Sequence, residues 1–371
     1  MEKIAIIGGG IIGMTLANYL DTSKFEVTLF DAKEGQATRA SAGIISPWLS
    51  KRRNKQWYQL AKDGAAFFPK LIQDLSLDDS IYKQSGTLIF RQKEALEDLA
   101  ALAEQRKKDA PEIGEISLLS AEETTRTLPL LKPSPALFVT GGGRLDGHAY
   151  LSHLATRLEK QMVKVISERV QLRKETAHWV ISGTFGQLDF DRVILAPGPS
   201  LKPLLEQIGF HADIRPQKGQ LIVFQTPYAN SQEWPVAMLE GEADFIPFND
   251  GTILVGATHE NDAGWDLVPT ESAYQQLIKS TVPFLAEPDQ LATWKHTMRV
   301  GTRAYTSDFA PFFAPVPDEP SLIAASGLGS SGLTTGPYIG YLIAEYLNTG
   351  IWRGDHYQKP IDTYLSRLLK R

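Results

Sequence analysis

Ten residues into the chain the sequence reads GGGIIG, and Gly8, Gly10 and Gly13 fit the spacing G-x-G-x-x-G. Glycine at those positions suits a dinucleotide. The first permits a tight turn, the second has no side chain to hold off a pyrophosphate, and the third lets a helix pack close to a strand. The helix N-terminus behind the turn attracts phosphate charge. In a chain with 30 glycines the spacing alone is weak. Its context strengthens it: the apolar run Lys3–Gly8 reads as a buried strand, Gly10–Leu20 as a helix, and Val27–Phe30 as a second strand. Asp31 follows, eighteen residues after Gly13, where an acid can accept hydrogen bonds from ribose hydroxyls and repel a 2′-phosphate.

A second strand, glycine-rich turn and helix follow more than 300 residues later, around Gly327, Gly329 and Gly332. A long ligand can use both turns, one for its pyrophosphate and one for its far end. That favours FAD over a nicotinamide cofactor, because an isoalloxazine needs hydrogen-bond donors where charge builds on reduction. Other chemistries are poorly served. The chain has no cysteine, which excludes disulfides, thiolate metal sites and a cysteine nucleophile. His148 and His153 are five apart and the other histidines are scattered, so no metal-ligand spacing stands out. No G-x-S-x-G nucleophile turn occurs.

The elements between the two turns must carry the rest. A length of 371 residues predicts two domains, or one with a large insertion. At 43% hydrophobic and 22% charged the composition is that of a soluble globular protein. The net charge of −5 and pI near 5.9 argue against a nucleic-acid partner. The basic candidates, KRR at 51–53 and Lys370–Arg371, read as solvated surface. No window is apolar enough to span a membrane, and with no cysteines the expected location is cytoplasmic. Residues 53–75, 93–108, 149–160 and 271–280 read as helices. TLIFR, VKVIS, HWVIS and RVILAPG read as strands. QLIVFQ, DFIPF and GTILVGAT form a β-rich middle, with a hairpin turn at Asn249-Asp250-Gly251. The last residues predict a docking helix, with Ile361, Tyr364, Leu365, Leu368 and Leu369 on one face. The resulting expectation is α/β at the ends and α+β overall. A discontinuous Rossmann-like FAD-binding domain (1–85, 141–215 and 300–371) is interwoven with a β-rich substrate-binding domain (86–140 and 216–299).

The chain resembles the D-amino-acid-oxidase-like family of FAD enzymes, nearest to the glycine oxidases and the D-amino-acid dehydrogenases. The resemblance spans nearly the whole sequence. It rests on IAIIGGGIIG with Asp31, ATRASAGIISP at 37–47, RVILAPG with RPQKGQL at 215–221, GTILVGAT at 251–258, VGTRAYTSDFAP at 300–311 and IAASGLGSSGLTTGP at 323–337. It implies the interwoven glutathione-reductase/DAO-type arrangement. It implies FAD contacts by Gly8, Gly10, Ile11, Ile12, Gly13, Asp31 and Ala32, a flavin lining of Ser41, Ala42, Gly43 and Ile44, and adenine contacts from the Val170 backbone. Gly198 would lie near the dinucleotide, and Gly327, Leu328, Gly329, Gly332, Leu333 and Thr334 at the flavin's pyrimidine end. Arg303, in the pattern Gly301, Arg303, Thr306, Asp308, would bind a substrate carboxylate. Some relatives attach flavin to a cysteine or an N-terminal histidine. Here there is no cysteine and the first histidine is His148, so non-covalent FAD is expected.

The sequence departs from the family at several positions. Ala304 replaces a usual proline. Asp244 stands where glycine oxidases carry a tyrosine, Ser330 where some relatives have arginine, and His259 where glycine oxidase has an apolar residue. With Arg303, residues His259 and Ser330 are the candidate substrate contacts, and the changes point to a substrate different from, or more polar than, glycine. The implied reaction is oxidation of an α C–N bond of a small or N-substituted amino acid. Hydride passes to flavin N5, and the resulting imine hydrolyses. Burial lowers an amine's pKa, so no strong general base is required. Oxygen or a quinone would be the electron acceptor, with a peripheral membrane contact and a homo-oligomer left open. The alternatives are a 2-hydroxy-acid dehydrogenase on the same fold, a tRNA-modifying oxidoreductase, and a flavin-carrying subunit of a larger complex.

Overall fold

The first three elements follow the apolar pattern of the N-terminus. A strand, Glu2–Ile7, leads through Gly8–Gly10 into a helix, Ile11–Tyr19, and a parallel strand, Phe25–Phe30. The structure is a computed structural model that describes residues 1–50, 54–241 and 243–368. The basic run at 51–53 and the terminal Lys370–Arg371 lie outside the described residues.

The N-terminal strands sit in the middle of a six-stranded sheet, drawn from distant parts of the chain. Its order is Phe312–Val316, Glu319–Ser326, Arg192–Leu195, Glu2–Ile7, Phe25–Phe30 and Lys164–Ile166. All pairings are parallel except the first, a hairpin. These strands are apolar on both faces because both are covered. The helices Ile11–Tyr19 and Gly332–Thr349 pack in one core around Leu16, Ile339 and Ile343. Val193, Leu195, Leu322 and Phe312 fill the other.

An eight-stranded, mostly antiparallel sheet is built from the middle of the chain. Four of its strands concern the site: Lys295–Tyr305, Arg215–Gln225, Thr252–Gly256 and Asp244–Pro247, adjacent in that order. Arg215–Gln225 and Lys295–Tyr305 pair along eleven residues, which brings Arg303 opposite Gln217 and Gly301 opposite Gly219. The expected hairpin forms, with Asp250 and Gly251 in the left-handed region at φ of 55° and 76°. The fold is thus mixed α/β, and the sheets combine segments that the sequence separates by up to 300 residues.

Two expectations change. The helix expected over 53–75 is two helices, Lys55–Ala66 and Phe68–Leu75, the second opening with a proline in its first turn. The C-terminal segment is not a helix. Residues Ile361–Thr363 make one short turn, and Leu365–Arg367 form a strand antiparallel to Phe210–Ala212. Tyr364 stacks on Phe312 with ring centroids 5.0 Å apart, and its hydroxyl donates to Asp308. So short a stretch cannot support a helix by itself. The backbone groups of Phe210–Ala212 offer it a ladder instead. Leu365 is buried while Leu368 is exposed, a pattern the helical wheel does not anticipate, and Leu369 lies outside the described residues.

Candidate active site

The glycine-rich turn divides its work among its members. Gly8 has φ of +115°, and a Cβ there would lie 2.3 Å from the Ala196 carbonyl oxygen. Gly13 sits where a Cβ would come within 1.9 Å of the Gly8 carbonyl, so its role is to seat the helix on the strand. It does not line the cavity below. Gly10 is different: a Cβ there would meet only Thr38 Oγ1, at 3.6 Å. The space in front of it is open. The helix that follows has no side-chain cap and no acid in its first turn, so its positive end stays available to an anion. The Ile11 N–H donates to Thr38 Oγ1 at 3.1 Å. Gly9, which the spacing rule ignores, also matters. Asp31 lies against it, with the carboxylate 2.6 Å from where a Gly9 Cβ would stand. The Lys33 N–H donates to the same carboxylate at 3.1 Å.

Gly8, Gly9, Gly10 and Asp31 open onto one cavity of about 980 Å³, at the upper end of the range for ligand sites. Asp31, Ala32, Val170 and Gly198 line it, as do Ile11, Ile12 and the segment Ser41, Ala42, Gly43 and Ile44. The second glycine-rich turn lines it through Gly327, Leu328, Gly329, Ser330, Gly332, Leu333 and Thr334. Here the Gly332–Thr349 helix also starts without a side-chain cap or an early acid. Its turn is pinned from outside: Trp57 Nε1 donates to Ser331 Oγ at 3.1 Å, and that hydroxyl donates to the Leu328 carbonyl. Ser326 Oγ donates to the Gly198 carbonyl at 2.9 Å, which ties the second glycine-rich turn to the Gly198 turn.

Two uncapped helix ends, an open glycine and an acid in one cavity fit a flavin dinucleotide. Asp31 could hold the ribose, the Gly10 turn the pyrophosphate, and Gly332–Thr334 the electron-rich edge of the isoalloxazine. Among the described residues no group of three or more acids or histidines is placed to hold a metal.

Beyond the second turn the wall is the antiparallel sheet, and Arg303 is its main charge. The residue is largely buried. Nη1 donates to the Thr258 carbonyl at 2.8 Å and to Gln217 Oε1 at 3.2 Å. The guanidinium lies 2.6–2.7 Å from where a Gly219 Cβ would stand, so the glycine makes room for it. Among the described residues no carboxylate pairs with Arg303, and Nε and Nη2 have no partner. Asp308, the nearby acid of the same motif, is paired with Lys359 and bonded by Thr306 and Tyr364. Burial pulls the guanidinium below its ordinary value, while Tyr305 and Glu260 oppose the shift. A desolvated cation without a counter-ion is costly, and a bound anion would relieve that cost.

His259 is exposed at the end of the Thr252–Gly256 strand and lines the cavity, as does the exposed Ser330. The cavity also contains residues that motif reading misses, Gly219, Met238 and Trp265, together with Asp244, the residue that departs from the family's tyrosine. Trp265 is carried by a segment strapped to the sheet. The fully buried Lys218 pairs with Asp266 at 2.9 Å, and Thr302 Oγ1 donates to the Gly264 carbonyl at 2.7 Å. Gly219 was legible only as part of RPQKGQL. Trp265 carries no local signal.

Comparison with known proteins follows the same lines. The family model described as DAO, FAD dependent oxidoreductase, matches residues 3–346. The chain is 38% identical over 357 residues to the uncharacterized oxidoreductase YurR of Bacillus subtilis (strain 168), covering 93% of this chain and 94% of that protein. It is 26% identical to glycine oxidase of Pseudomonas aeruginosa, covering 94% and 95% of the two chains. The solved structure of iminodiacetate oxidase from Chelativorans sp. BNC1 is similar over 98% of this chain and 99% of that one, with a TM-score of 0.89 and 29% identity.

Proposed function

The chain belongs to the DAO family of FAD-dependent oxidoreductases, and on that footing we propose that it oxidises the α C–N bond of a small or N-substituted amino acid. The observation that carries this reading is Arg303, a buried guanidinium without a counter-ion in the cavity that also receives both uncapped helix ends. The similarity to glycine and iminodiacetate oxidases supports a carboxylate-bearing amine as substrate.

The chemistry balances simply. The substrate loses two electrons and two protons from its α C–H and N–H. Water then adds across the C=N bond, which leaves an oxo acid and ammonia, or a free amine where the nitrogen was substituted. FAD, when bound, supplies the two-electron acceptor. The chain's own residues bind and orient. Nη1 of Arg303 is held by Thr258 and Gln217, so Nε and Nη2 are left to meet a carboxylate as a fork. Such a fork fixes the plane of the carboxylate, and with it the direction of the α C–H. Met238 and Trp265 give the cavity an apolar border that helps exclude water from the reacting carbon.

The test is anaerobic bleaching of flavin absorbance in the purified holoenzyme. The panel is glycine, N-substituted glycines including iminodiacetate, D- and L-amino acids, and 2-hydroxy acids. Amines should bleach the flavin. Bleaching by hydroxy acids alone would replace this reading with a 2-hydroxy-acid dehydrogenase. No bleaching by any member would favour a flavin-carrying subunit.

A further inference from the structure

The cavity holds a second ionisable group that the reading above does not use. Asp244 begins the strand Asp244–Pro247 and lines the cavity. Its Oδ1 accepts the Leu239 N–H at 3.0 Å. Its other oxygen has no partner among the described residues. The neighbouring cation does not neutralise it: Arg91 donates to the Leu239 carbonyl at 2.9 Å and forms no ion pair with Asp244. Burial pushes the carboxyl up to about 7, against the pull of the Leu239 bond and of Arg91.

Strand register relates Asp244 to Arg303. Asp244 faces Gly256, and Gly256 faces Leu221 on the next strand. Gly219, against which the guanidinium lies, is two residues along from Leu221. Two strand spacings of ~4.8 Å and a two-residue rise of ~6.8 Å put the Gly219 and Asp244 Cα atoms roughly 12 Å apart. A guanidinium–carboxylate contact at one end and an N–H···O bond at the other leave room between them for the carboxylate-to-amine span of an α-amino acid.

One wall of the cavity therefore carries an unpaired cation and, across a short gap, a carboxyl with one oxygen unused. The ligand that complements both is a molecule with a carboxylate at one end and N–H donors next to it. We infer that Asp244 is the substrate's amine-binding residue: its free oxygen accepts the amine N–H while Arg303 holds the carboxylate. The inference rests on the amino-acid reading of the site. It gives Asp244 a role in choosing amines over the corresponding hydroxy acids, which offer a single O–H in place of the N–H donors. Two-point attachment also limits rotation about the C–Cα bond, so Asp244 and Arg303 together set where the α C–H points.

The decisive variant is Asp244→Asn. Its amide oxygen still accepts the Leu239 N–H, so the fold is preserved. Its NH₂ faces the cavity and offers the amine N–H no acceptor. In the holoenzyme, the anaerobic bleaching rate divided by the substrate dissociation constant should fall at least ~10-fold for the best of glycine, sarcosine and D-alanine. Acetate, which has the carboxylate and no amine, is the control. Its dissociation constant, read from perturbation of the flavin spectrum, should change less than about threefold, whereas Arg303→Leu should weaken it strongly. If Asp244→Asn handles amines as the wild type does, or loses acetate and amines equally, the inference is wrong while the amino-acid reading stands. If no amine bleaches the wild-type flavin, the reading itself falls and takes the inference with it.

Discussion

Arg303 concentrates the residue-scale energetics of the site. Losing one partner of a desolvated charged pair costs on the order of 2–5 kcal/mol, and ~1.4 kcal/mol is tenfold. Arg303→Leu should therefore lower kcat/KM by roughly 30-fold or more on the best carboxylate substrate, with normal flavin content. Because the fork also sets orientation, kcat should fall too. Arg303→Lys should recover affinity better than rate, since a point charge does not define a plane. Steady-state kinetics on both variants check this; near-wild-type kcat/KM in Arg303→Leu would dismiss the site. Gly219 offers a subtler test. A methyl there would lie 2.6–2.7 Å from the guanidinium, the mobile end of a long side chain. Gly219→Ala should displace Arg303 without unfolding the sheet. We expect a drop in kcat/KM of at least ~10-fold, about the strength of one charged hydrogen bond, with a thermal midpoint within a few degrees of wild type.

Within one turn, neighbouring glycines do opposite jobs, and this is a property of the element. Gly10 faces open space and Gly13 faces a carbonyl at 1.9 Å from its notional Cβ. Gly10→Val should fold, keep its circular dichroism, and purify without yellow colour. Gly13→Ala should instead lose stability, because the helix cannot move off the strand without breaking the core around Leu16 and Ile339. A yellow, fully loaded Gly10→Val protein would contradict the pyrophosphate assignment of the turn. The C-terminal strand is a second element-scale case. Tyr364 and Leu365 are 2% and 3% exposed. Replacing a buried aromatic by alanine costs about 3–5 kcal/mol. Tyr364→Ala should lower the urea midpoint substantially while leaving flavin spectra unchanged. An unaltered midpoint would mean the segment is not docked.

For the whole molecule, the cofactor joins distant segments. The residues that line the cavity come from turns near positions 10, 40, 170, 198 and 330, so FAD should stabilise the native state of the entire chain. Free FAD at 100 times its dissociation constant adds about 2.7 kcal/mol, readable as a higher thermal midpoint of reloaded over stripped protein. With no cysteine in the chain, acid precipitation should release all the flavin into the supernatant. Flavin retained in the pellet would show a covalent link. Among the described residues no helix is long and apolar enough to cross a membrane.

The glycine spacing, the following acid and the repeated strand–turn–helix were enough to reach a flavin dinucleotide fold. That is so because a phosphate-binding turn is a local object, whose backbone needs are written in consecutive residues. The resemblance to a family supplied Arg303 as a carboxylate ligand, yet only the eleven-residue pairing with Arg215–Gln225 explains how Gly219 accommodates it. That pairing joins residues about eighty positions apart. The C-terminal segment had the spacing of a helix and became a strand, because the partner that decided it, Phe210–Ala212, lies 150 residues earlier in the chain. Asp244 was visible in the sequence as an odd residue at a family position. Its half-used carboxyl, and its place two strands from Gly219 and three from Arg303, depend on a register that no local pattern encodes. Local backbone conformation is set by neighbours in sequence, whereas a side chain's charge state and opposite number are set by whatever the sheet brings beside it.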